Sequence, residues 1–150
     1  MDKYLESPEI IVQKDDIILT KDGTIGKVAY IYHVPGSNAS LSSHLLLIRN
    51  LENNGVHTKY SYYLFQSHHF LDYVTRRQVG STRAGLTQKA FEEFPFPLPP
   101  LEEQKKIASI LSTVDRKLEL ERERKKTIER IKQGLMNDLL TGRRRVKVAM

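Results

Sequence analysis

Two short stretches hold the side chains best placed to do chemistry. Arg76 and Arg77 close an apolar-periodic run, and Ser81, Thr82 and Arg83 follow in a segment bounded by Gly80 and Gly85. A guanidinium presents a planar fork of donors that fits a guanine edge or a phosphate, and serine and threonine hydroxyls can serve either. Arg76 and Arg77 equally suit the end of a helix, where a cation complements the dipole. Arg83 has no helix end to complement, and its nearest acids along the chain are Asp72 and Glu92. The other stretch is Lys21, Asp22, Thr24 and Lys27, polar groups around an Asp-Gly turn. A two-stranded ribbon with such a tip can enter a major groove, although Asp-Gly is also the ordinary way to close a hairpin.

Residue patterns for catalysis are missing from the sequence. Without cysteine there is no thiol nucleophile, disulfide or thiolate metal site. Lys21-Asp22-Gly23-Thr24-Ile25-Gly26-Lys27 has the wrong spacing for a phosphate loop, and no Gly-x-Ser-x-Gly elbow occurs. His68 and His69 are neighbours on a helix and point about 100° apart, which does not suit one metal ion. A non-catalytic chain with neither cofactor nor metal site is expected. Its start shows no secretory signal and its longest apolar run, Leu45 to Ile48, cannot span a membrane. The expected setting is soluble and cytoplasmic.

The elements that would carry these side chains follow from pattern. Residues 16–32 predict a β-hairpin, with Asp16 to Thr20 going out, a type I′ turn at Lys21 to Thr24, and Ile25 to Tyr32 returning. A third strand is expected around His44 to Arg49. One helix is expected from Thr58, as its N-cap, to about Arg76, with Tyr60, Tyr63, Leu64, Ser67, Leu71 and Val74 on one face. Gln78 to Gly85 reads as an exposed loop, and Thr87 as the cap of a short helix ending before Pro95. Phe94 to Pro100 cannot be helical because proline removes donors and restricts the residue before it. It predicts a stiff connector, or a linear polyproline ligand in Leu98 to Gln104. The class expected is α+β, a small sheet-containing domain over residues 1–98.

Beyond the prolines the pattern changes. From Leu101 to Leu140 there is no proline and a single glycine, Gly134, predicting a helix about 60 Å long at roughly 1.5 Å per residue. Ile107, Leu111, Val114 and Leu118 alternate by four and three, as in a coiled-coil seam. The seam turns polar at Glu121 and Lys125, then resumes at Ile128, Ile131, Leu135 and Leu139. A lone helix with that stripe is unstable in water, and nothing else in the chain is long enough to cover it. An antiparallel homodimer through this helix is expected, with residues 99–142 as the spacer and 143–150 as a basic tail. Charge follows the same division. Residues 1–100 hold ten basic and ten acidic side chains, so the 14 basic and eight acidic ones beyond them account for the net charge of +6. A basic excess without a membrane signal points towards nucleic acid, though a lysine-rich solvated helix has the same total.

Several of these stretches together resemble a known family. Asp16-Ile17-Ile18 followed by Gly23-Thr24-Ile25-Gly26, and Gly80-Ser81-Thr82 leading to Leu86-Thr87, resemble the target-recognition domain of type I restriction-modification specificity subunits. Phe96-Pro97-Leu98-Pro99-Pro100-Leu101-Glu102-Glu103-Gln104-Lys105-Lys106-Ile107-Ala108 is similar to that family's lead into its long helix. Leu135-Met136-Asn137-Asp138-Leu139-Leu140-Thr141-Gly142 with Arg143-Arg144 resembles the helix's end. The resemblance covers roughly residues 15–146. It implies a subunit that reads double-stranded DNA for separate methyltransferase and restriction subunits, with two recognition domains whose long helices pack antiparallel. This chain departs from the pattern in having one recognition domain, expected to be without its N-terminal portion. It is therefore expected to be a fragment, a truncated product or a half-subunit that dimerises. Two other readings stay open: a coiled-coil scaffold whose small domain binds protein, and the recognition part of a fused restriction-methylation enzyme.

Overall fold

Strand β1, Ile17–Thr20, is the middle of a three-stranded sheet. Its alternation places Ile17 and Leu19 in the core, almost without exposure, while Ile18 and Thr20 stay half-buried. Strands β2, Val28–Tyr30, and β3, Leu45–Ile48, flank it in the order β2-β1-β3, both antiparallel. Ile18 lies opposite Ala29 on one side and Leu47 on the other. The computed structural model describes residues 11–34, 41–50, 55–78 and 85–147.

The hairpin is present, but its connection is not the expected type I′ turn. Residues 21–27 form a wider loop with Gly23 and Gly26 at positive φ, 71° and 85°. Thr20 fastens its base: the Thr20 hydroxyl donates to the Thr24 carbonyl and accepts from the Lys27 N–H at 3.0 Å. The tip backbone is committed elsewhere. Lys21 N–H donates to His44 O, and Asp22 forms an isolated bridge with Gly85. A two-residue turn would leave no residues to make these contacts, so the return strand shortens to Val28–Tyr30.

The single helix expected from Thr58 to Arg76 is two helices, α1, Thr58–Gln66, and α2, His68–Gln78. His57, not Thr58, is the N-cap, and it makes no side-chain cap bond. Ser67 is extended, with ψ 152°. Its hydroxyl donates to Leu64 O at 2.6 Å and accepts from Phe70 N at 3.3 Å, closing one helix and opening the next. A serine side chain competes with the helical ladder in this way. Ser67 fell on the apolar face by spacing, yet it is the break in that face. Helix α3, Gln88–Glu92, begins as expected, with the Thr87 hydroxyl accepting from Ala90 N at 3.1 Å.

The core gathers Ile17, Leu19, Phe65, Phe70, Val74, Leu86 and Phe94. Phe70 meets Phe65 and Phe94 with ring centroids about 5 Å apart, a geometry that adds to the area buried. Asp16, 1% exposed, is held by Arg49 through two bonds of 2.8 Å and by Gln13 N at 2.6 Å. Helix α4, Leu101–Leu140, follows the prolines, with Glu102 and Glu103 in its first turn. Just past its end at Leu140, Gly142, with φ of 73°, lets Gly142 N reach Leu139 O and Arg144 N reach Asp138 O. The α+β class with a long C-terminal helix is what the structure shows. The chain divides into two compact units, Met1–Ser109 and Ile110–Met150. Among the described residues, no helix is long and apolar enough to cross a membrane.

Candidate nucleic-acid interface

The hairpin tip and the segment from Gly80 to Gly85 were two separate candidates by sequence, and the structure ties the tip to Gly85 and Leu86 at the far end of that segment. Leu86 N donates to Lys21 O at 2.8 Å beside the Asp22–Gly85 bridge. A Cβ on Gly85 would lie 2.8 Å from Asp22 Oδ1, so the close approach suits glycine. Gly85 is two residues along the chain from Arg83; Ser81, Thr82 and Arg83 themselves lie outside the described residues. Beneath the tip, a Cβ on Gly26 would meet Leu71 Cδ2 at 3.0 Å, which places the hairpin connection against α2. Thr24 and Lys27 are exposed, and Lys21 is half-buried.

Two of the expected contact residues have internal partners. Asp22 Oδ2 lies 3.2 Å from His44 Nδ1 in an exposed pair. Arg77 Nη1 reaches Glu93 Oε2 at 2.7 Å, and its guanidinium sits 5.2 Å from the Tyr73 ring centroid. Arg76 and Arg77 do occupy the last turn of α2, as expected from their spacing, and Arg76 is exposed there. The geometry thus joins the tip, Gly85 and α2. It does not bring Arg77 to the tip as an uncommitted cation.

Sequence reasoning missed a cation–aromatic group. Lys59 Nζ stands 5.7 Å from the Tyr30 centroid and 5.3 Å from that of the exposed Tyr32. Tyr30 Oη donates to Asp15 Oδ1 at 2.7 Å, and burial first, then that carboxylate, pushes the phenol well above its ordinary range. The signal lay in the alternation of Tyr30 and Tyr32 on one strand face, but Lys59 is too distant in sequence to be paired with them. His57 at the start of α1 is held below the usual histidine range by burial, then by Lys105 and Lys59.

Gln104 is the other side chain whose job was hidden. It is fully buried, accepts from His57 N at 2.8 Å, and donates to Gly55 O at 2.9 Å and Pro99 O at 2.7 Å. Tyr60 Oη adds a bond to Pro97 O at 2.8 Å. The proline-rich connector and first turn of α4 are thereby fixed to the start of α1. Among the described residues, no group of three or more His, Cys, Asp or Glu side chains is placed to hold a metal ion.

The fold is a three-stranded α+β domain followed in the chain by a forty-residue helix along which apolar side chains are exposed. The chain belongs to the type I restriction modification DNA specificity domain family, whose pattern matches residues 4–130. Three specificity subunits of Methanocaldococcus jannaschii type I restriction enzymes are similar to it. The MjaX subunit, provisionally named as such, is 31% identical over 144 residues, covering 96% of this chain and 32% of the relative. The MjaVIII subunit is 27% identical over 98% of this chain and 34% of its own length, and the MjaIX subunit 32% identical over 81% and 27%. The chain spans about a third of the length of these curated relatives.

Proposed function

We propose that this chain is a non-catalytic DNA-recognition module of a type I restriction-modification system, directing separate methyltransferase and restriction subunits to a duplex sequence. The observation that carries the reading is the family match laid over this fold: the matched residues 4–130 include the hairpin tip, residues 79–84 before Gly85 and most of the long helix. Lys21, Lys27 and Arg76 would supply phosphate contacts, which set register without reading sequence. Asp22, Thr24, Ser81, Thr82 and Arg83 have donors or acceptors suited to base edges. The exposed stripe from Leu111 to Leu139 would pair with a second helix of the same kind, setting the spacing between two recognition heads.

Fluorescence anisotropy with labelled duplex at several salt concentrations tests the reading. Binding should weaken linearly on a logarithmic plot, with a slope of about −0.9 per phosphate contacted. The exposed stripe alone also fits a protein-binding scaffold. A chain with no affinity for duplex, by itself or with methyltransferase subunits present, would favour that scaffold and refute DNA recognition.

A further inference from the structure

One end of the sheet gathers segments that are far apart in sequence. Strand β3 begins where β1 ends, with Thr20 opposite Leu45, so His44 stands beside the hairpin connection. Lys21 N donates to His44 O at 3.0 Å, and Leu45 N closes the turn before β3 on Ser42 O, also at 3.0 Å. The His44 backbone is thus mounted on the sheet while its side chain is 72% exposed. Asp22 lies between this ring and Gly85. One carboxylate oxygen, Oδ1, occupies the space a Cβ on Gly85 would need, and the other, Oδ2, is 3.2 Å from His44 Nδ1. That contact fixes the ring chemically. An ionised carboxylate only accepts hydrogen bonds, so Nδ1 is the nitrogen that carries the proton. In the neutral imidazole Nε2, on the far side of the ring, is then a bare acceptor, because the bond made by one ring nitrogen sets the state of the other.

We propose that His44 is a base-reading residue, its Nε2 accepting from the exocyclic amino group of an adenine or a cytosine in the major groove, and that Asp22 positions the ring rather than touching the DNA. The proposal rests on the DNA-recognition reading and reassigns Asp22 within it. In the major groove adenine N6 and cytosine N4 are the donors, whereas guanine and thymine present acceptors, so a bare acceptor suits an amino group. Charge favours this division of labour. A carboxylate thrust at a duplex meets phosphates of its own sign, whereas one turned onto Nδ1 and Gly85 keeps its charge a ring's width further back. The neutral Nε2 carries no such penalty. Mounting on a strand end, with the rotation of the ring held by a second side chain, is the arrangement that makes a single hydrogen bond selective. An exposed pair of this kind adds little to stability, so its removal separates recognition from folding.

Selection from a randomised duplex pool by the whole chain, alone and with methyltransferase subunits present, tests the assignment. Wild type should enrich a motif in which His44→Ala loses the preference at one base pair and keeps the others. On the selected duplex, anisotropy should show His44→Ala binding about 3- to 10-fold more weakly, the effect of one neutral hydrogen bond. Asp22→Ala should lose the same position, and the double variant should bind no worse than His44→Ala, because Asp22 acts through the ring. Replacing the base at that position by its analogue without the amino group, purine for adenine or 2-pyrimidinone for cytosine, should weaken wild type and leave His44→Ala unchanged. Nitrogen-15 correlations of the neutral His44 ring should show Nδ1 protonated in wild type and a mixture of tautomers in Asp22→Ala, while urea midpoints stay together. A cost of Asp22→Ala that persists in the His44→Ala background makes Asp22 the reader and overturns the proposal. Sensitivity of wild type to a 7-deazapurine instead of to the missing amino group also overturns it, since His44 would then be donating. A His44→Ala variant that selects the wild-type motif overturns it and leaves DNA recognition standing, whereas a wild type that enriches no sequence in either condition removes both.

Discussion

Gln104→Ala should unfasten the first turn of α4 from the domain. The side chain is fully buried and makes three hydrogen bonds, all to backbone groups: His57 N, Gly55 O and Pro99 O. Each such bond contributes about 0.5–1.5 kcal/mol net, and a buried partner left dry costs more, about 1–3 kcal/mol. Gly55 is exposed and its carbonyl can be rehydrated, whereas His57 N and Pro99 O are less accessible. The expected loss is about 3 kcal/mol, a fall of roughly 1.5 M in urea midpoint for a slope near 2 kcal/mol/M. The chain has seven tyrosines and no tryptophan, so near-UV dichroism follows tyrosine packing in the domain without interference from helix α4. Glu103→Ala, at an exposed neighbouring position, is the control and should change stability by less than about 0.5 kcal/mol. A Gln104→Ala loss below about 1 kcal/mol would refute the account of this glutamine as the fastening.

Arg49→Met leaves the Asp16 carboxylate buried without its cation, and urea unfolding should show a loss of about 3–5 kcal/mol. His57 is depressed in the folded state, so its neutral form is favoured there. Stability should fall as pH drops below the unfolded histidine value of about 6.5, and the His57→Gln difference curve between pH 7.5 and 5.5 should isolate that loss. Arg83→Ala should weaken cognate duplex binding about 10- to 100-fold and spare non-specific binding if the guanidinium reads a base. An equal loss on both duplexes would make it a phosphate contact.

The parts legible in the sequence were those governed by local periodicity. The β1–β2 hairpin, the third strand, the Thr87 cap and the extent of α4 all follow from spacing and from proline and glycine punctuation. The break at Ser67 was not legible, because serine there satisfies the helical spacing and its hydroxyl acts only once Phe70 N is brought within reach. The width of the hairpin connection depends on Gly85, far along the chain, and the Asp16–Arg49 pair joins residues 33 apart. Gln104 stood inside a recognisable motif, but its purpose needs the loop at Gly55 and His57, 47 or more residues earlier. For the candidate contact residues, chemistry and spacing gave only an expectation of which side chains could contact DNA. They gave no sign that Asp22 and Arg77 already had partners.

Under the proposed DNA-recognition reading, those partners bear on which cation at the end of α2 would meet a phosphate backbone. Arg77 lies 2.7 Å from Glu93 and over Tyr73, with both members of the ion pair nearly half exposed. An exposed pair of this kind is worth at most about 1 kcal/mol, so energy alone would not prevent Arg77 from turning to a phosphate. Geometry does, since Glu93 stays beside it and an approaching phosphate would meet a carboxylate of the same sign. Arg76 shares the last turn of α2 and is exposed. On that reading it would be the better phosphate ligand, and the two arginines should separate experimentally. Arg76→Ala should lower the salt slope of duplex binding by about 0.9 and leave the urea midpoint unchanged. Arg77→Ala should do the reverse, shifting the midpoint slightly through loss of the Tyr73 and Glu93 contacts while the salt slope holds. If Arg77→Ala lowers the slope and Arg76→Ala does not, Glu93 gives way to the phosphate and the internal pair is only the resting arrangement of a DNA contact.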